Sequence, residues 1–418
     1  MRLLWVLLTV TGLYAADATL EVIKEVGGAL SVAVESKSVN PTAIDRRIGR
    51  MIEADLKVAG FYNVVPPPAQ ANPSFDVSHA AYFQAGLNHL VRYEFFSESG
   101  RLGIRAEVYD VKARRSLLTR TYTVGREDRF PFLAHHLTID LAEKLGIKGL
   151  DWMSKFVILS RHIGPKETEI LIADYTLTFQ QAVIKGGFNI FPKWAGADQR
   201  AFYYTHYHNQ PTLYRVDLYT GERKKITESE GMLVCSDVSQ DGKKILVTMA
   251  PDDQPDIYEI NLATGKKRQL TNYSGIDVNG HYVDDESAFL LVSDRLGYPE
   301  IFYAPLDRPQ SATQFVFKGR NNNYINTWKN YAVFVSRDTD SEFAENTFNL
   351  YLISTKSDFI RQLTTTGKNN FPRFSPSGDT ILHTKEFRKE SALGIIRLGY
   401  NKSFLFPLES GQIQAIDW

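Results

Sequence analysis

At 418 residues, 43% hydrophobic and 23% charged, the sequence has room for two domains and is too apolar for a disordered chain. Lys plus Arg and Asp plus Glu number 48 each, so net charge gives no case for a nucleic-acid backbone as partner. The single cysteine, Cys235, rules out an intramolecular disulfide and reads as a small buried residue.

The opening residues, MRLLWVLLTVTGLYAADATL, carry one positive charge at Arg2, an apolar run from Leu3 to Val10, and small residues at Ala15, Ala16 and Ala18. This is the pattern of a secretory signal, too short to span a bilayer. Residues 1–16 are assigned to it, with cleavage open among Ala15, Ala16 and Ala18; a buried strand is the other reading. No other run approaches about 18 apolar residues, so no membrane span is expected in the mature chain. No cysteine near the cleavage region offers a lipid anchor.

Residues 17–150 are expected to form a small α+β domain. TLEVIKEV (Thr19 to Val26) alternates like a strand. Asn40-Pro41 is expected to open a helix reaching about Val58, with an apolar stripe of Ile44, Ile48, Met51, Ile52 and Ala59, stopped by Gly60. Pro66-Pro67-Pro68 marks a turn or linker, and Ser78 can cap a short helix. HLVRYEFF, RLGIRAEVYD and SLLTRTYTV read as three antiparallel strands with turns at Ser99-Gly100 and Ala113-Arg114. A last helix carries Leu133, Leu137, Leu141 and Leu145 at i,i+4 spacing.

Residues 151–418 repeat themselves. FPKWAGADQRAFYYTHYHNQPTLYRVDLYTGERKKIT (from Phe191) aligns with CSDVSQDGKKILVTMAPDDQPDIYEINLATGKKRQLT (from Cys235). An aromatic or apolar position before the Asp-bearing turn recurs at Trp194, Val238, Tyr282, Trp328, Phe374 and Trp418, in steps of 44, 44, 46, 46 and 44. Such a period, with four short alternating strands per unit, marks a β-propeller. Asp241-Gly242, Ser377-Gly378, Thr220-Gly221 and Thr264-Gly265 supply glycine where turns need positive φ. Five full units run from about Phe188 to Leu408. Lys155 to Ile184 holds three strands without a first one, and GQIQAIDW (Gly411 to Trp418) is a first strand with nothing after it. Joined, they give a sixth blade and close the ring. The fold class is therefore an α+β domain followed by a six-bladed all-β propeller. The recurring RQLT (Arg268, Arg361) is the outer strand and exit of a blade, hence architecture.

Catalytic motifs are missing: no G-x-S-x-G, H-E-x-x-H, C-x-x-C, P-loop or G-x-G-x-x-G is present. His206 and His208 share a strand face but lack a visible third ligand, His135-His136 cannot share a ligand face, and the acidic loop Pro251 to Asp256 reads as a solvated turn. No catalytic residue, cofactor or metal is assigned. The alternative is a secreted propeller enzyme, a metal-dependent lyase or hydrolase with its site in the channel. It would need His or carboxylates converging on the pore.

Three stretches carry a family resemblance: IGRMIEADLKVAGFYNVV (Ile48 to Val65), LAEKLGIKGLDWMSKFVILSR (Leu141 to Arg161) and ILIADYTLTFQQAVI (Ile170 to Ile184). With the signal, domain order and blade count, the chain resembles the TolB family of the periplasmic Tol–Pal system. Thr176 and Leu177 depart from the usual Asp-Gly turn, and the units at Tyr282 and Trp328 lack S-P-D-G. The resemblance implies no enzyme but a periplasmic adaptor that supports outer-membrane integrity and constriction during cell division. Its implied partners are the lipoprotein Pal, TolA and other envelope proteins. TolA would bind the N-terminal strand Asp17, Ala18, Thr19, Leu20, Glu21, Val22, Ile23 and Lys24. Pal would dock at the propeller mouth, on Asn189, Ile190, Met232, Leu233, Ile276, Asp277, Asn323, Tyr324, Asn369, Asn370 and Phe371.

Overall fold

The computed structural model describes residues 29–68, 75–98, 100–339, 346–387 and 390–418. The expected signal and the segment Asp17 to Lys24 lie outside the described residues.

In the N-terminal part, β1 (Leu30–Ser36), β2 (Tyr62–Val64), β3 (His89–Glu98), β4 (Arg101–Asp110) and β5 (Arg115–Val124) form one sheet, ordered β2-β1-β3-β4-β5. The three expected strands are β3, β4 and β5, and they are antiparallel. β1 is an addition. It runs parallel to both β2 and β3, and its centre is buried. Helix α1 (Ala43–Val58) begins after the expected Pro41, because the Thr42 hydroxyl caps it by accepting the Asp45 amide at 3.3 Å. Ile48, Met51, Ile52 and Leu56 form its buried stripe. Helix α2 (Phe75–Gln84) starts ahead of the expected Ser78 cap, with Asp76 in its first turn. Helix α3 (Pro131–Lys144) buries Leu133, Leu137 and Leu141 against α1.

The remaining strands form antiparallel four-stranded meanders whose order follows the chain, except in the closing sheet, where the last strand of the chain precedes the others. Their innermost strands are Phe188–Trp194, Leu233–Val238, Asp277–Val283, Arg320–Trp328, Lys368–Phe374 and Gln412–Asp417. A single parallel pair, Phe348 with Lys368, joins two meanders into one eight-stranded sheet. The innermost strands touch in chain order, and Gln412–Asp417 touches Phe188–Trp194, so they stand in a closed ring around the channel. Gln412–Asp417 also pairs antiparallel with Val157–Gly164, the first strand after the N-terminal part. Tail and middle of the chain thus share one sheet, as the repeat implies.

Separate apolar cores fill the gaps between neighbouring meanders. Tyr203 and Leu213 pack on Leu233 and Val247, and Val333 and Leu350 pack on Phe374 and Ile381. The largest core runs without a break from Ile48, Leu56 and Leu137 through Trp152 and Tyr175 to Leu393 and Ile416. The N-terminal part and the closing meander are therefore packed as one body.

The RQLT repeat has a physical explanation. Leu270 and Leu363 turn inward, and their amides donate to Ile257 and Leu350. The next threonine accepts the ladder amide that the outer strand no longer serves: Ile257 to Thr271 at 3.0 Å, Leu350 to Thr364 at 2.9 Å. The four expected turn glycines all have positive φ. At Gly378 a Cβ would also lie 2.3 Å from the Trp328 ring.

One position of the repeat is shifted. Trp194 pairs with Phe202 and Phe374 with Ile381; in the fourth meander the matching pair is Thr327 with Ala332. Trp328 stands one residue further, across a tight turn from Tyr331, and its indole donates to the Pro376 carbonyl. Its register differs by one residue from that of the other aromatics in the series, yet it lines the same cavity as Trp194, Phe374 and Trp418.

Candidate functional site: the channel mouth

The residue just before each repeat position faces the channel: Lys193, Asp237, His281, Asn326, Arg373 and Asp417. Lys193 lies 3.1 Å from Asp417 and 3.8 Å from Asp237, and Arg373 Nε lies 3.1 Å from the same Asp417 oxygen. His281 Nδ1 is 3.6 Å from Asp237. Burial pushes the His281 imidazole down, so it is neutral. Asp417, Asp237 and Asn326 accept the amides of Trp194, Tyr282 and Phe374 on the adjoining innermost strands. Sequence reasoning missed this girdle because its residue type changes from meander to meander, with only Asp recurring, and because the repeat position in the fourth meander is Thr327 and not Trp328.

Lys193 and Arg373 line two cavities, one on either side of the girdle. One, of about 360 Å³, holds Trp194, Trp328 and Trp418. The other, of about 330 Å³, opens at the strand-entry end, the mouth.

The mouth cavity is mainly apolar. A register shift interrupts every innermost strand at the same level. At four of these bulges the residue is left-handed: Phe191 (φ 53°), Asn279 (57°), Tyr324 (47°) and Phe371 (50°). All four line the cavity. Each such residue costs on the order of 1–3 kcal/mol and persists only where its surroundings hold it. The bulges re-aim these side chains into the mouth.

Of the mouth residues expected from sequence, Met232, Ile276, Asn323, Tyr324 and Phe371 line the cavity. Met232, Ile276 and Tyr324 are exposed, at 41%, 48% and 37%. Asn370 lines a smaller side pocket of about 250 Å³ that shares the Tyr324–Phe371 wall. Asn189, Ile190, Leu233, Asp277 and Asn369 are buried. Asn189 donates to the Gly186 carbonyl at 2.9 Å, Asn369 to those of Phe348 and Thr366, and Asp277 accepts Arg295 at 2.7 Å. They pin the entry loops instead of facing outward. Phe191 and Asn279 are additions, each three residues before a repeat position, as Phe371 is before Phe374.

The other candidates have structural partners. Cys235 is buried beside the cavity floor, and burial pushes its thiol far up. His206 stacks on His208 with ring centroids 6.4 Å apart, and its Nδ1 meets Asn189 Oδ1 at 2.8 Å. Among the described residues, no group of three or more His, Cys, Asp or Glu is arranged to hold a metal ion. Among those residues, too, no helix is long and apolar enough to cross a membrane.

Residues 146–418 match the family model of the TolB beta propeller domain, and residues 18–117 that of the TolB amino-terminal domain. The Tol-Pal system protein TolB of Wolinella succinogenes is 48% identical over 420 residues, covering 99% of each chain. That of Helicobacter pylori is 37% identical over 421 residues, covering 100% of each. The crystal structure of TolB from Acinetobacter baumannii shares the fold, with a TM-score of 0.77 at 23% identity over 93% of this chain and 97% of that one. On its sequence and its two-part architecture, the chain belongs to the TolB family of the Tol–Pal envelope system.

Proposed function

We propose that the chain is a periplasmic adaptor that docks the lipoprotein Pal at the propeller mouth and TolA through Asp17 to Lys24, supporting outer-membrane integrity and constriction during division. The observation that carries the reading is the mouth cavity: Met232, Ile276, Tyr324, Phe371 and Phe191 stand together at the centre of a concave face. Central aromatic and apolar side chains rimmed by polar groups are what a protein partner uses as anchors. The signal pattern supports the periplasm as the compartment. An extended, alternating N-terminal segment suits strand addition to a partner's sheet.

Two measurements test it. Met232→Asp places a charge in the apolar cavity and is expected to weaken Pal binding by more than about 1 kcal/mol in a titration calorimeter. An isotherm equal to that of the parent would remove the mouth as the docking site. Deleting Asp17 to Lys24 is expected to abolish TolA capture while leaving the melting temperature in place. Unchanged capture would contradict the N-terminal assignment.

A further inference from the structure

The docking reading leaves the partner's chemistry open, and the hydrogen-bond inventory of the mouth narrows it. The inference rests on the mouth being the docking site. Two pockets meet there, divided by Tyr324 and Phe371, whose ring centroids are 4.5 Å apart. The basic groups of the floor are paired within the protein: Lys193 with Asp417, and Arg373 with Asp417 and with the carbonyls of Ile416 and Pro372, so their charge is already partly met.

The acceptors are in surplus. Asn323 Oδ1, in the main cavity, and Gln414 Oε1, in the side pocket, are buried atoms that receive no hydrogen bond within the protein. Gln414 sits at the bulge of Gln412–Asp417, level with Phe371 and Tyr324 on their strands. Beside it in the side pocket stand the exposed Glu386, which accepts the Asn370 side chain at 3.2 Å, and His162. A buried acceptor without a donor is costly, and a partner that supplies one removes the cost.

We propose that the docked partner sets an apolar side chain into the main cavity and a Lys or Arg side chain into the side pocket, where Gln414 and Glu386 receive it. A carboxylate beside an unserved carbonyl oxygen suits an ammonium or guanidinium, which brings several donors and a charge.

The test titrates the purified soluble domain of Pal into the mature full chain and into Met232→Asp, Glu386→Gln, Gln414→Glu and Gln414→Lys, each checked for an unchanged melting temperature. Glu386→Gln is expected to weaken binding about tenfold, because one member of a charge pair is lost. Gln414→Lys should weaken it by at least that much, whereas Gln414→Glu should bind as tightly as the parent or more so. Tighter binding by Gln414→Lys than by Gln414→Glu would mean an acidic or acceptor group enters, and would overturn the proposal. If Met232→Asp abolishes binding while the Glu386 and Gln414 variants match the parent, the mouth reading stands and the basic-residue inference falls. If Met232→Asp itself binds normally, both fall.

Discussion

Asp417→Ala is expected to cost about 3–5 kcal/mol of folding stability, far more than a side chain next to the last residue ordinarily contributes. One buried carboxylate serves three donors: Lys193 at 3.1 Å, Arg373 at 3.1 Å and the Trp194 amide at 2.9 Å. Asp417 is 3% exposed, so its removal strands two cations where water reaches them poorly. Its position matters as much as its charge. It ends the strand that joins tail to middle, so it ties that strand to the innermost strands on both sides. Asp417→Asn keeps the acceptor for Trp194 and loses the charge, and should fall between parent and alanine variant. Removing Gln412 to Trp418 should be worse still. It deletes the buried Ile413 and Ile416 and the contact of Trp418 with Trp152, whose ring centroids are 5.1 Å apart, and it bares an edge of Val157–Gly164 inside the channel. Urea unfolding followed by tryptophan fluorescence reads these effects, with the exposed Asp358→Ala as a reference expected within about 0.5 kcal/mol of the parent. If Asp417→Ala unfolds at the same midpoint as that reference, the tail is not a latch.

The repeat made the propeller legible because blade strands alternate between cavity and core, and their turns need Gly at fixed offsets. The pairing of Gly411 to Trp418 with the strands from Lys155 could be inferred from two incomplete units alone. Legibility failed where chemistry is shared between distant residues. Thr327 holds the slot that Trp328 was expected to fill, because the aromatic nearest the expected spacing outweighs a threonine when sequence is read without register. Asn189, Asp277 and Asn369 look like surface anchors in a list of loop residues. Only the structure shows that they are buried and bonded to the carbonyls of Gly186 and Phe348 and to Arg295. The left-handed bulge at Phe191 is invisible for a related reason: phenylalanine does not signal positive φ as glycine or asparagine does.

His135 gives the second large effect, and it is one that adjacent histidines on a helix did not suggest. His135 is fully buried between two carboxylates from opposite parts of the molecule: Asp55 on α1, 2.7 Å from Nδ1, and Asp174 in the propeller, 3.4 Å from Nε2. The Tyr175 hydroxyl donates to the other oxygen of Asp55 at 2.5 Å, so both Asp55 oxygens act as acceptors. Burial raises the Asp55 carboxyl, yet these two donors are arranged for the carboxylate, which puts the shared proton on the imidazole. Burial alone would push His135 down; the Asp55 charge and the hydrogen bonds to Asp174 and Asp55 outweigh it and raise the pKa to about 9. His136, the next residue, is pushed the other way by burial and by the charge on His135. The sign follows from linkage. An imidazole with its folded pKa above the ordinary 6.5 contributes its full stabilisation below pH 6.5 and loses it as pH rises through about 9. The loss amounts to on the order of 3 kcal/mol. The parent chain should therefore become less stable from pH 6.5 to 9.5, and His135→Gln, with no proton to lose, should show a flatter profile. At pH 6 the variant should stand about 3–5 kcal/mol below the parent, because two buried carboxylates lose their cation, and the gap should narrow as the solution turns alkaline. Because Asp55 and Asp174 belong to different parts of the fold, the same variant should loosen the joint around Trp152, whose ring meets that of Tyr175 edge-on at 5.1 Å. Urea midpoints across this pH range decide the matter: a parent profile that is level from pH 6.5 to 9.5, or a His135→Gln profile with the parent's slope, would mean that His135 carries no charge at this joint.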